Sequence, residues 1–198
     1  MLKVVLATAN PGKQREFSAL LAPYGFQLIM QSDLGIPSVE ETGASFEENA
    51  LLKARHAAAL SGLAAMADDS GLEVDALGGR PGVWSARFAG PTASDEDNNK
   101  ELLRSLAERP EAPRTARYRC VLALVRKADD EQPLLGHGSW EGRIATRPAG
   151  RGGFGYDPYF VPVGFECTAA ELSAEQKNEL SHRAAALRDL ITRLDTWR

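Results

Sequence analysis

Leu63-Ala64-Ala65-Met66-Ala67 runs directly into Asp68-Asp69-Ser70-Gly71. The apolar run is short enough for one buried strand. Two adjacent carboxylates at the mouth of such a strand are costly to desolvate unless something cationic meets them. In α/β sheets the carboxyl ends of strands are also where ligands gather. The segment therefore predicts an α/β fold with a strand end that supports a metal-assisted reaction.

The flanks supply the other elements. Ser45 and Glu48 have capping-box spacing. Ala50, Ala54, Ala57, Ala58 and Leu60 follow at helical spacing, and Gly62 is a C-terminal stop. Nearer the start, residues 4–8 read as a buried strand. Asn10 is then an N-cap with Pro11 at the first helical position. Phe17, Leu20 and Leu21 share one face of this helix, which is expected to end near Pro23. Residues 26–30 read as the next strand.

After the Asp pair, residues 78–82 form a loop that carries Arg80, and residues 94–106 a polar-faced helix. Residues 117–125 read as a long strand. Asp129-Asp130-Glu131 turns into another strand through Leu134-Leu135. Residues 150–155 form a glycine-rich loop before a strand at 159–163. Thr168 with Glu171, and Ser173 with Gln176, repeat the capping-box spacing. A last helix is expected from about Ala174 to the chain end, with Leu180, Leu187, Ile191 and Leu194 inward. Together, βα units and a hairpin predict one α/β domain over residues 1–198, with a mixed sheet.

Bulk properties narrow the function. The 198 residues are 43% hydrophobic, enough for one sizeable core. A net charge of −4 argues against a general nucleic-acid binder. No apolar run approaches the ~20 residues of a membrane span, and the first residues lack the apolar region of a signal peptide. Cys120 and Cys167 have no metal-type spacing and read as reduced thiols of a cytoplasmic protein.

Four constellations could carry chemistry. Thr8-Ala9-Asn10-Pro11-Gly12-Lys13 joins a strand to a helix N-terminus, where backbone N–H groups favour anions. It is not a Walker A loop, because Ala7 stands where that motif needs glycine and Gln14 follows Lys13. The acidic pairs Glu40-Glu41 and Asp68-Asp69 suit Mg²⁺, which takes one or two carboxylates plus phosphate oxygens and water. Lys53 on the second helix could reach the same phosphates. Gly153-Phe154-Gly155-Tyr156-Asp157-Pro158 places aromatics among glycines, a surface on which a base can stack. Lys177, Ser181, His182 and Arg183 lie along the last helix and could line a pocket. Taken singly, each has a plainer reading: a capped turn, a solvated loop, core aromatics, a surface charge.

Taken in order, these residues resemble the non-canonical purine nucleoside triphosphate pyrophosphatases, the inosine triphosphatase family. The resemblance covers nearly the full length. It rests on residues 8–13, Glu41-Thr42-Gly43, Ser45-Phe46-Glu47-Glu48-Asn49-Ala50, Ala67-Asp68-Asp69-Ser70-Gly71, Gly79-Arg80-Pro81-Gly82, residues 153–158 and Ser181-His182-Arg183. It implies Mg²⁺-dependent hydrolysis of ITP, dITP and XTP to the monophosphate and pyrophosphate, by a homodimer. It implies an elongated two-lobed α/β/α fold with a central mixed twisted sheet and an active-site cleft between the lobes. By the same resemblance Asp69 is the proton acceptor and a metal ligand, with Asp68 the alternative for the proton. Glu40 or Glu41 is the second metal ligand. Residues 8–13 form the triphosphate loop, Ser70 touches substrate, and Phe154, Gly155, Tyr156 and Asp157 form the nucleoside loop. Lys53, Lys177, His182 and Arg183 complete the substrate contacts. The competing readings are a pyrimidine-nucleotide pyrophosphatase, a nucleotide-binding module without turnover, and an interaction protein.

Overall fold

A computed structural model describes residues 2–194. Residues 195–198, the end of the predicted last helix, lie outside it. Six strands form one sheet in the order β2-β1-β3-β4-β5-β6. These are β1 (Leu2–Leu6), β2 (Phe26–Met30), β3 (Ala64–Val74), β4 (Thr115–Val125), β5 (Leu134–Ile144) and β6 (Phe160–Pro162). The β1 strand pairs in parallel with β2 and β3, and β5 pairs antiparallel with β6, so the sheet is mixed as expected. Five helices accompany it: α1 (Pro11–Leu21), α2 (Phe46–Ser61), α3 (Asp95–Ala107), α4 (Ala174–Leu180) and α5 (His182–Ile191). None of the described helices is long and apolar enough to cross a membrane.

The residues gather into two compact units. The first contains residues up to Asp69, Cys120–Gly138 and those from His182 onward; the second contains Ser70–Arg119 and Ser139–Ser181. In the first unit the sheet is covered on both faces, and strand alternation assigns the residues. Val4, Leu6 and Met66 pack with Phe17 and Leu21 of α1 and with Leu187 and Leu190 of α5. Val5, Ala65 and Ala67 pack with Ala50, Ala54, Ala57 and Ala58 of α2. Successive strand residues point to opposite faces, so the two sets interleave along each strand. In the second unit, Tyr118, Trp140 and Phe160 join Leu102 and Leu106 of α3 around a separate core. The Phe160 ring lies 4.7 Å from that of Tyr118 and 5.4 Å from that of Trp140.

Several sequence expectations need correction. The first strand is Leu2–Leu6, not residues 4–8. Thr8 turns away from the strand, since its Oγ1 accepts from Asn10 N–H at 3.2 Å. The strand predicted to stop at the Asp pair runs through it to Val74. The carboxylates are tolerated there because cationic side chains meet them, as described below. The last helix is broken: Ser181 is extended at φ −67° and ψ 160° and caps α4 before α5 begins. The start of α5 rests on β5, where a Cβ at Gly138 would collide with the carbonyl of His182, and one at Gly136 with that of Ala186. Glycines two apart on one strand let a helix backbone approach this closely, and that signal went unread in the sequence. Leu180, expected inward, is 38% exposed. Thr168 and Glu171 do bond, at 2.7 Å from N–H to carboxylate, yet the helix that follows starts only at Ala174, capped by Ser173.

Candidate active site

Asp68 and Asp69 are adjacent on β3 and therefore face opposite ways. Both are buried. Asp68 shares the face of Met66, under α1 and α5. Its Oδ2 lies 2.7 Å from Lys13 Nζ and 3.8 Å from Arg183 Nε. Arg183 Nη1 also donates to Glu16 Oε2 at 2.9 Å. Two cations thus serve two carboxylates on this face. Burial pushes the Asp68 carboxyl up, but Lys13, Arg183 and Lys53 outweigh it and bring its pKa down to about 2.

Asp69 shares the face of Ala65 and Ala67, under α2. Asn49 Nδ2 donates to Asp69 Oδ2 at 3.1 Å. Lys53 Nζ lies 3.5 Å from Asp69 Oδ1 and donates to Glu41 Oε1. Lys53 stays cationic: burial lowers its pKa, but Asp69, Asp68 and Glu41 raise it further. The carboxylates of Asp69 and Glu41 both meet the Lys53 ammonium on this face. Burial, followed by the charges of Glu41 and Asp68, raises the Asp69 pKa in spite of Lys53 and Lys13. Glu40 is exposed, whereas Glu41 is the member of the pair that joins this cluster.

This donor set fits a hard divalent cation. Glu41 and Asp69 turn oxygens toward one cationic point, the Lys53 ammonium. Among the described residues no three His, Cys, Asp or Glu side chains group as a ready cage. Two carboxylates are what Mg²⁺ takes from protein when phosphates and water complete its shell.

The 8–13 loop folds as its sequence predicts, with one difference. Asn10 caps α1, and its Oδ1 accepts from Gly12 N–H at 2.8 Å and Lys13 N–H at 3.2 Å. Those two N–H groups, offered to an anion in the sequence reading, are engaged by the cap. The positive end of α1 remains as an anion-attracting feature, and the Lys13 ammonium beside it is paired with Asp68. Ala9, Asn10 and Pro11 are exposed, and Thr8 is buried.

In the second unit, Asp157 organises the 153–158 loop. Its Oδ2 accepts from Phe154 N–H at 2.9 Å and from Lys177 Nζ at 2.6 Å, and its Oδ1 accepts from the Tyr118 hydroxyl at 3.2 Å. Lys177 Nζ also sits 5.0 Å from the centroid of the Phe154 ring. Gly155 is held at both ends, by Asp95 Oδ2 on its N–H and Asn99 Nδ2 on its carbonyl. Tyr156 is not a stacking surface. It is 3% exposed, in the core, and donates to the Ser85 carbonyl at 2.8 Å. Of the two aromatics, only Phe154 is partly exposed. This loop and Asn99 also line a cavity of about 470 Å³ in the second unit.

Ser70 continues β3 beside Asp69 and is half-buried. His182 and Arg183 open α5, both buried. The sequence reading missed Asn49, Glu16 and Tyr118 as partners of the candidate residues. Asn49 carried a signal: an Asn inside an alanine-rich helix opposes helix propensity.

A model of the Ham1 family matches residues 4–193. This chain belongs to the Ham1 family. It is 54% identical over 194 residues to a protein of Photorhabdus laumondii named dITP/XTP pyrophosphatase, with 98% of each chain covered. A protein of Thioalkalivibrio sulfidiphilus with the same name is 56% identical over 193 residues, again with 98% of each covered. The solved structure of a HAM1 protein from Coxiella burnetii superposes with a TM-score of 0.91 at 45% identity, over 99% of this chain and 100% of that one. The α/β fold with an open mixed sheet is thus the Ham1 fold.

Proposed function

We propose that this chain is a Mg²⁺-dependent nucleoside triphosphate pyrophosphohydrolase acting on dITP, ITP and XTP. It releases the monophosphate and pyrophosphate, and so keeps deaminated purines out of DNA and RNA. One observation carries the reading: a buried Asp69 of raised pKa shares one lysine with Glu41, in a chain whose relatives bear the name of this activity. Mg²⁺ held by Asp69 and Glu41 would offset the charge that develops on the triphosphate oxygens.

The protein's own groups do the rest. Asp69 accepts the proton of a water whose oxygen attacks the α-phosphorus. The bond from that phosphorus to the bridging oxygen breaks, and pyrophosphate leaves as one unit. A base works best when its pKa is not far below the working pH, which favours Asp69 over Asp68. Lys13, Lys53 and the N-terminus of α1 hold the phosphates. Phe154 offers its ring to the base, in a loop set by Asp157 and Lys177. His182 and Arg183 donate toward a 6-oxo group, where adenine has an amino donor instead. Homodimeric assembly and a cytoplasmic location complete the proposal; the two free thiols accord with a reducing compartment.

The test is a panel of ITP, dITP, XTP, ATP, GTP, dUTP and dTTP with Mg²⁺, reading pyrophosphate and orthophosphate separately. Pyrophosphate from ITP, dITP and XTP is expected at roughly 10²-fold or more higher kcat/KM than from ATP. Orthophosphate as the sole product, or dUTP as the fastest substrate, would overturn the reading.

A further inference from the structure

Asn49 lies in the first turns of α2, yet Ser45 is the N-cap and Asn49 is fully buried. Its side chain joins Gly43 to Asp69, with a further, longer bond from Nδ2 to the Gly43 carbonyl at 3.5 Å. Nδ2 donates to Asp69 Oδ2 at 3.1 Å, and Oδ1 accepts from Gly43 N–H at 2.8 Å. Gly43 follows Glu41 by two residues. Only a side-chain amide offers a donor and an acceptor in this arrangement. A carboxylate here would repel Asp69, and an apolar side chain would serve neither group. The fit at Gly43 is close: a Cβ there would lie 2.7 Å from Asn49 Oδ1 and 2.7 Å from Glu48 Cβ. The next residue is pinned as well, by Ala44 N–H on Glu48 Oε2 at 2.7 Å. The loop that carries Glu41 is therefore fastened to α2, and α2 to Asp69, through one amide.

We propose that Asn49 is a positioning residue for the divalent cation, fixing the separation of the Asp69 and Glu41 carboxylates. This rests on the metal reading above. Partners that orient metal ligands from outside the coordination shell typically matter 10–100-fold in affinity, so a loss of about tenfold is expected here.

Mn²⁺ titration of the nucleotide-free protein, read by electron paramagnetic resonance, tests this without turnover. Asn49→Ala is expected to weaken Mn²⁺ binding about tenfold or more. Gly43→Ala, which displaces the amide while leaving Asn49 and Asp69 in the sequence, is expected to do the same and carries the test if Asn49→Ala does not fold. IMP binding in EDTA should stay within about twofold of the parent, and Asn49→Ala should add nothing in an Asp69→Asn background. Unchanged Mn²⁺ binding in the folded variants would overturn this inference alone. Parallel loss of Mn²⁺ and IMP binding would also overturn it, by making Asn49 a support of the fold only. A parent that binds no Mn²⁺ even with inorganic pyrophosphate present would overturn the metal reading and this inference with it.

Discussion

Asp68 and Asp69 are neighbours in sequence and occupy opposite electrostatic settings. On the α1/α5 face, Asp68 and Glu16 meet Lys13 and Arg183. On the α2 face, Asp69 and Glu41 meet Lys53. The first arrangement is balanced and holds its carboxylate ionised down to about pH 2. On the second, burial and the charges of Glu41 and Asp68 keep the carboxylate's pKa raised in spite of Lys53 and Lys13. The Asp68 face gains stability from its ion pairs, and the Asp69 face holds a charge that burial disfavours and a cation can relieve. Functional sites commonly trade stability in this way.

The comparison breaks most sharply at Asp69. Asp69→Asn is expected to lower kcat for pyrophosphate release by roughly 10²–10⁴-fold, the usual worth of a general base. The same variant should be more stable than the parent in EDTA at neutral pH, as read by urea unfolding. The sign follows from linkage: a raised folded pKa means that ionisation opposes folding. That penalty grows as pH rises from the unfolded value through the folded one, and it is absent below both. A destabilised Asp69→Asn would contradict the strained-charge account.

Asp68→Asn should do the reverse. A folded pKa of about 2 against an ordinary 3.8 corresponds to roughly 2 kcal/mol of stability. Its pKa is depressed, so this contribution is full above about pH 4 and is lost as pH falls toward 2. Urea unfolding of parent and variant should therefore differ at pH 6 and converge near pH 2. A gap independent of pH would remove Lys13 and Arg183 as the cause.

The smallest effect separates Glu40 from Glu41. Glu40→Gln is expected to leave kcat/KM within about twofold, as for an exposed residue away from special contacts. Glu41→Gln should raise the Mg²⁺ concentration needed for half-maximal turnover by about tenfold or more. Equal effects of the two would undo the assignment of Glu41 to the Asp69 face.

Much of this was legible in the chain. The caps at Asn10, Ser45 and Ser173, and the strand Phe26–Met30, follow from local chemistry and appear as read. The alternation Ala65, Met66, Ala67, Asp68, Asp69 already placed the two carboxylates on opposite faces. It went unused because charge seemed to end the strand at Ala67. The only local sign of the break is Ser181, a residue type favoured before a helix start, with neither glycine nor proline beside it. The start of α5 lies against Gly136 and Gly138 of a distant strand, an approach that a side chain at either position would block.

Sequence alone determined the elements, the family resemblance and the set of residues able to carry chemistry, because capping, periodicity and residue type act over a few positions. Only the tertiary structure decided which acid has which environment. Lys13, Glu41, Lys53 and Arg183 reach the Asp pair from helices and loops far apart in the chain. Burial and opposite charge set the state of a carboxylate through space, so the difference between Asp68 and Asp69 exists only once those groups have been folded around them.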